Sequence, residues 1–154
     1  MTLENAKDIT TMLGVIVGAA AVVKGVAEYV RQSAQKRAEY FVSIQRRLVE
    51  NQTFITILEL IERDDPKVSE IPLRERRELL SLFEEVAIML NSGLIRESVA
   101  HYMFGYHAID CWKSEALWKD LERESQYWSV FRDFVQRMER YRQTDPFQRS
   151  HYRF

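Results

Sequence analysis

The feature that most constrains this chain is an uncharged apolar stretch near its start. Residues 9–23 carry no charged side chain, and the next residue is Lys24. A membrane-spanning helix needs about 20 residues, each rising about 1.5 Å, to cross a hydrocarbon core about 30 Å thick. Continuing the helix to Val30 gives that length and places Lys24 and Tyr29 where both can reach the headgroups. The sequence predicts one N-terminal transmembrane helix, with Lys24, Tyr29 and Arg31 as membrane-interface anchors.

Three other interpretations of this stretch are weaker. A cleaved secretory signal starts with positive charge, whereas Glu4, Lys7 and Asp8 leave the first eight residues at a net charge of −1. A helix lying flat on a membrane has one apolar stripe, whereas residues 13–23 are apolar on all sides. A helix buried in a soluble core stays open, and with it the alternative of a soluble helical binding module.

The charges that flank the stretch predict its orientation. Residues 31–50 hold five basic against two acidic side chains. Lys and Arg beside a span tend to stay on the cytoplasmic side. The single cysteine, Cys111, permits no disulfide within the chain, which suits a reducing compartment. We therefore expect a membrane protein with its N-terminus outside and a cytoplasmic C-terminal domain.

The rest of the chain is predicted to be all-α. No segment of useful length alternates with period two, and nothing breaks a helix between Gly25 and Pro66. The span should therefore continue into a long juxtamembrane helix that ends near residues 49–51. Later helices are punctuated at Pro72, Gly93 and Gly105, and the chain from residue 106 to residue 145 is free of Gly and Pro.

Apolar side chains recur along the juxtamembrane helix at alternating spacings of three and four residues, as in a heptad seam. Aromatic side chains at helical spacing concentrate in residues 102–134 and mark the predicted core. The predicted architecture is a transmembrane helix (residues 1–30), a small antiparallel helical cytoplasmic domain (residues 31–142) and a basic-aromatic C-terminal tail (residues 143–154). The seam residues are Ala27, Val30, Ala34, Phe41, Ile44 and Leu48.

Small residues form one face of the predicted span. Gly14 and Gly18 make a GxxxG pair, and Ala21 and Gly25 follow at spacings of three and four residues. Such a face lets two helix backbones approach closely, and in lipid this packing drives association. Gly14, Gly18, Ala21 and Gly25 are the predicted helix-packing interface, which indicates self-association or docking onto another membrane protein.

Only one grouping suggests reaction chemistry. His107, Asp110 and Cys111 share a helical face and could meet a metal ion or form a Cys–His pair, but no fourth ligand sits at a matching spacing. No catalytic, cofactor-binding or metal residue is therefore predicted. The overall net charge of −1 gives no attraction to nucleic acid, which is not expected as a partner.

Three segments carry a resemblance to a known family: residues 79–89 (LLSLFEEVAIM), 92–100 (SGLIRESVA) and 104–112 (FGYHAIDCW). With the apolar start, they resemble a bacterial family of unknown function. The resemblance implies a protein of the bacterial inner (cytoplasmic) membrane with one N-terminal membrane helix, a basic juxtamembrane helix and a small helical cytoplasmic domain. It implies no activity and no site residues.

These patterns together predict a non-enzymatic, single-pass, membrane-anchored interaction protein, an accessory or structural subunit of a bacterial membrane assembly. Its expected partners are the lipid bilayer and either a second copy of the chain or another membrane protein. The alternative from a different class is a metal- or thiol-dependent enzyme or sensor centred on His107, Asp110 and Cys111. No cofactor is expected.

Overall fold

A computed structural model describes the backbone of residues 3–144, and the side-chain surroundings of residues 3–17, 19 and 34 lie outside that description. Every regular element in residues 3–144 is helical, which confirms the all-α prediction for this part of the chain. The elements are α1 (Leu3–Glu50), α2 (Gln52–Glu62), a 3-10 turn (Pro66–Glu70), α3 (Leu73–Asn91), α4 (Glu97–Ala100), a π-helical turn (His101–Gly105), α5 (Tyr106–Lys113), a second 3-10 turn (Gln126–Trp128) and α6 (Ser129–Thr144).

Contacts along the chain separate it into two units, residues 1–39 and residues 40–154. The predicted domain boundaries after residues 30 and 142 stay predictions. The predicted span begins at residue 9, and the side chains of residues 9–17 lie outside the described part. Across the described residues, no helix combines the length and the apolar character needed to cross a membrane.

Two helix ends follow directly from local sequence. The Asn51 side chain accepts hydrogen bonds from the backbone N–H groups of Thr53 (2.9 Å) and Phe54 (3.2 Å), so it caps the start of α2. At the end of α3, Gly93 adopts a φ of +65°, which glycine reaches without strain. The Leu94 N–H then reaches the Met89 carbonyl (2.9 Å), which closes a Schellman turn. The end of α1 at Glu50 and the end of α3 before Gly93 lie where the sequence predicts them.

The core of the second unit is built by the end of α1 and by the helices that follow. Three residues of the predicted seam, Phe41, Ile44 and Leu48, are buried in it. The Phe41 ring meets Phe104 edge to face, with the ring centroids 5.5 Å apart. Helix α6 packs against both α3 and α5. The second unit is therefore a helical bundle, and α1 supplies one of its packed faces.

Aromatic side chains fill the centre of this bundle. Phe131 stacks on Phe83, with the ring centroids 5.7 Å apart, and it meets Trp112 edge to face. Phe104, Trp118, Phe131 and Phe134 are buried, as the sequence predicts for this region. Three tyrosines of the same stretch are instead exposed: Tyr102, Tyr106 and Tyr127.

One arginine lies inside the bundle. Arg76, on the first turns of α3, is only 3% exposed, and its guanidinium donates hydrogen bonds to three backbone carbonyls. These are the carbonyls of Ile71 (3.0 Å), Leu117 (2.8 Å) and Lys119 (2.7 Å). Arg76 therefore ties the start of α3 to the loop that follows α5. Arg76 lies three residues before Leu79 and seven before Phe83, so helical spacing places it, rather than the adjacent Arg77, on the apolar face of α3.

Gly105 does not end a helix, contrary to the prediction from sequence. The chain passes through it in a π-helical turn that joins α4 to α5. A Cβ atom placed on Gly105 would lie 2.9 Å from Cδ2 of His101 and 3.4 Å from Sδ of Met138. The glycine is used here because the His101 ring and α6 leave no room for a side chain.

Candidate functional site

The small-residue face of α1 is open where the structure describes it. Gly18, Ala21 and Gly25 are exposed, and among the described residues no atom beyond the chain neighbours and the backbone of the same helix lies within 4 Å of a Cβ placed on Gly18 or Gly25. These positions share one face because they are spaced by three and four residues. Gly14, the fourth predicted position, lies outside the described side chains. Among the described side chains of this unit, none obstructs a second helix backbone from approaching Gly18 and Gly25.

Exposed apolar side chains surround that face. Val22, Val23, Val26 and Val30 are between 57% and 69% exposed, and Tyr29 is 73% exposed. A single exposed valine is ordinary on a protein surface, but five such residues within nine positions of one helix form an apolar patch. The described part of this helix therefore presents apolar surface to whatever surrounds it.

The predicted interface anchors lie along the same helix. Lys24 and Tyr29 are exposed, and Arg31 forms an ion pair with Glu28 one turn earlier at 3.5 Å. Both members of this pair are well exposed, so the pair stabilises the helix only weakly. The guanidinium of Arg31 and the ammonium of Lys24 therefore stay available to an anionic group outside the chain.

The grouping of His107, Asp110 and Cys111 does not form one site. All three lie on α5, but Cys111 is fully buried in the core, while His107 and Asp110 line a surface groove. Burial and the charge of Asp110 raise the pKa of the Cys111 thiol far above its ordinary value. Among the described residues, no group of three or more His, Cys, Asp or Glu side chains is arranged to hold a metal ion.

A surface groove beside α5 is lined by charge of one sign. It has a volume of about 270 Å³ and lies between α5 and the end of α1 with α2. We call it the acidic groove, because the carboxylates of Glu59, Glu62 and Asp110 line it and no lysine or arginine does. Its apolar lining comes from Leu48, Val49, Ile55, Leu58 and Ile61, and Tyr106 and His107 complete it.

The electrostatics of the acidic groove are those of an uncompensated negative patch. Glu59 contacts Arg63 at 3.8 Å, whereas Glu62 and Asp110 have no Lys or Arg partner within the described residues. The negative charge of Asp110 raises the pKa of the Tyr106 hydroxyl. Burial lowers the pKa of His107, although Asp110 and Glu62 oppose that shift, so the imidazole is neutral near pH 7.

Sequence reasoning identified His107 and Asp110 but missed the rest of the acidic groove. Ile55, Leu58, Glu59 and Glu62 follow the spacing of one helical face, and this mixture of apolar and acidic side chains was the available signal. The position of that face beside α5 depends on packing between segments about 50 residues apart, which no local pattern reveals.

Comparisons with known proteins found no match: no family model, no curated protein and no solved structure is similar to this chain. The resemblance to a bacterial family of unknown function therefore stays a prediction.

The burial of Cys111 predicts an unreactive thiol. Alkylation by iodoacetamide at pH 8 requires the thiolate, which both the raised pKa and the lack of solvent access suppress. We expect labelling of Cys111 in the folded chain to be at least about 100-fold slower than its labelling in denaturant. Mass spectrometry measures both rates. An Ile88→Cys variant is the control, because this position on α3 is 56% exposed and should label quickly. Rapid labelling of Cys111 in the native chain would contradict this prediction and support the thiol-dependent alternative.

Proposed function

We propose that this chain is a non-enzymatic, single-pass, membrane-anchored interaction protein that serves as an accessory or structural subunit of a bacterial membrane assembly. The observation that carries the proposal is the apolar surface of α1 around Val22, Val26 and Val30. That surface is exposed in the isolated chain, and lipid or a partner helix would bury it. The uncharged residues 9–23 extend the same apolar character toward the N-terminus.

The charge distribution supports a defined orientation. The five basic residues among positions 31–50 favour the cytoplasmic side, so the helical bundle is proposed to lie in the cytoplasm and the N-terminus outside. Lys24 and Arg31 are exposed and can reach the inner headgroup layer. The short acidic segment before the span is proposed to be translocated.

Association is proposed to use the open small-residue face. Gly18, Ala21 and Gly25 let a second membrane helix approach at backbone distance, and the partner is either another copy of the chain or a different membrane protein. The enzyme or sensor alternative has less support, because Cys111 faces the core while His107 and Asp110 face the acidic groove. The soluble-module alternative requires burial of α1 side chains that the structure exposes at Val22, Val23 and Val26.

Extraction in a mild detergent followed by light-scattering measurement of the particle mass tests this proposal. We expect a dimer or larger oligomer, or a particle that retains a second membrane protein. The variant Gly18→Leu with Gly25→Leu should abolish that association, because leucine side chains would fill the open face.

The matched control for the size measurement is Val23→Leu, which adds bulk on the opposite side of the helix and should leave the particle mass unchanged. A strictly monomeric native particle without a second protein would contradict the proposed interaction role. Equal particle masses for all three proteins would contradict the assignment of the face.

A further inference from the structure

We propose that residues 145–154 of this chain dock into the acidic groove. This segment, DPFQRSHYRF, follows α6 and lies outside the residues that the structure describes. The inference goes beyond the proposed function and does not depend on it, because the groove belongs to the helical bundle alone. It assigns an intramolecular occupant to a groove in which two carboxylates, those of Glu62 and Asp110, lack a basic partner among the described residues.

Charge complementarity is the first argument. The acidic groove presents Glu62 and Asp110 without a Lys or Arg partner among the described residues, and Glu59 with only a long contact to Arg63. The segment offers Arg149 and Arg153 against a single acid, Asp145. Arginine pairs with carboxylates through two parallel hydrogen bonds, so two arginines suit a groove lined by three carboxylates.

The apolar lining is the second argument. The groove is also lined by aliphatic side chains of α1 and α2, including Val49, which is 56% exposed. Its volume of about 270 Å³ lies below the range of about 300–1,000 Å³ usual for small-molecule pockets, so it suits one or two inserted side chains. The segment carries three aromatic rings, those of Phe147, Tyr152 and Phe154.

The third argument is the distance that the segment can span. Near the end of α6, the Tyr141 ring lies 5.0 Å from the His101 ring, and Met138 lies against Gly105. Gly105 directly precedes Tyr106, which lines the acidic groove. Ten extended residues span up to about 33 Å, so the segment can cross from α6 to the groove. Closing so short a loop costs little entropy.

Disulfide trapping in the full-length chain tests the proposal. Ser150→Cys places a thiol in the middle of the segment, and Val49→Cys places one in the acidic groove. Ile88→Cys is the matched control partner, because it is also 56% exposed but does not line the groove. The native Cys111 is buried and does not compete. We expect the 49–150 pair to form an intramolecular disulfide at least tenfold faster than the 88–150 pair.

Equal trapping rates for the two pairs would overturn the proposal. A disulfide-linked dimer as the only 49–150 product would also overturn it, because the occupant would then be a second copy's segment. The trapping rate should fall at least fivefold when Glu62→Arg is added to the 49–150 pair. It should not change when Glu70→Arg, an exposed charge reversal away from the groove, is added instead.

Limited trypsin digestion provides a second measurement that needs no cysteine substitution. Cleavage after Arg149 should be at least fivefold faster in the Glu62→Arg variant than in the native chain, and unchanged in Glu70→Arg. The same cleavage rate in all three proteins would contradict docking. Protection of Arg149 that appears only when phosphatidylserine vesicles are added would also contradict it, because the segment would then bind lipid rather than the groove.

Discussion

Replacing Arg76 by methionine is expected to lower the free energy of unfolding by about 3–5 kcal/mol. The guanidinium donates hydrogen bonds to three carbonyls at 2.7–3.0 Å, and the side chain is only 3% exposed. Methionine fills similar space but leaves those carbonyls without a donor. Because the three acceptors belong to the start of α3 and to the loop after α5, the substitution should also loosen that loop. Urea denaturation followed by circular dichroism measures the change.

The matched control is Arg77→Met, which makes the same chemical change at the next position. Arg77 is exposed, so its replacement should change the free energy of unfolding by no more than about 0.5 kcal/mol. Equal effects of the two substitutions would show that the buried hydrogen bonds of Arg76 do not stabilise the bundle. The free energy of unfolding of Arg76→Lys should be closer to that of Arg76→Met than to that of the native chain. A lysine ammonium is a compact charge and cannot reach the three separated carbonyls that the planar guanidinium contacts.

Two arginines placed within the proposed span should prevent membrane insertion. Ala20→Arg with Val22→Arg places two charges near the middle of the proposed span, residues 9–30, at a cost of about 5 kcal/mol or more for the pair. We expect the native chain to stay in the membrane pellet after an alkaline carbonate wash. The double variant should move largely to the supernatant or be degraded. Immunoblotting of the two fractions measures the distribution.

Gln32→Arg with Gln35→Arg is the control for insertion. It adds the same two charges to exposed positions on the proposed cytoplasmic side, where basic residues are favoured, so the pellet fraction should not change. Release of the native chain by the wash would contradict the membrane anchor. Retention of the Ala20→Arg, Val22→Arg variant would contradict the position of the span.

Helix ends that depend on local chemistry could be predicted from sequence. Asn51 caps α2 and Gly93 closes α3, as their residue types indicate. The end of α5 could not be predicted, because residues 114–125 contain neither Gly nor Pro. That loop is held by tertiary hydrogen bonds: the Trp118 indole donates to the Cys111 carbonyl (3.0 Å), and Arg123 donates to the Trp112 carbonyl (3.0 Å).

The candidate site also contains residues that could be predicted from sequence and residues that could not. The small residues of α1 could be found because they follow a spacing along one helix. The acidic groove could not, because its carboxylates come from α2 and α5 and meet only after the bundle has packed. For His107 and Cys111, the spacing along the helix was misleading. They lie four residues apart, which predicts one shared helical face, yet only His107 lines the surface groove and Cys111 is buried.

The π-helical turn at His101–Gly105 holds one residue more than an α-helical turn would. It therefore absorbs one extra residue while the helix that follows keeps nearly the rotational phase of continuous α-helical winding. Deleting a single residue there would restore regular winding and leave Tyr106, His107 and Asp110 facing α2. Adding a residue without a further π-helical turn would instead rotate these three side chains by about 100° around the helix axis and dismantle the acidic groove.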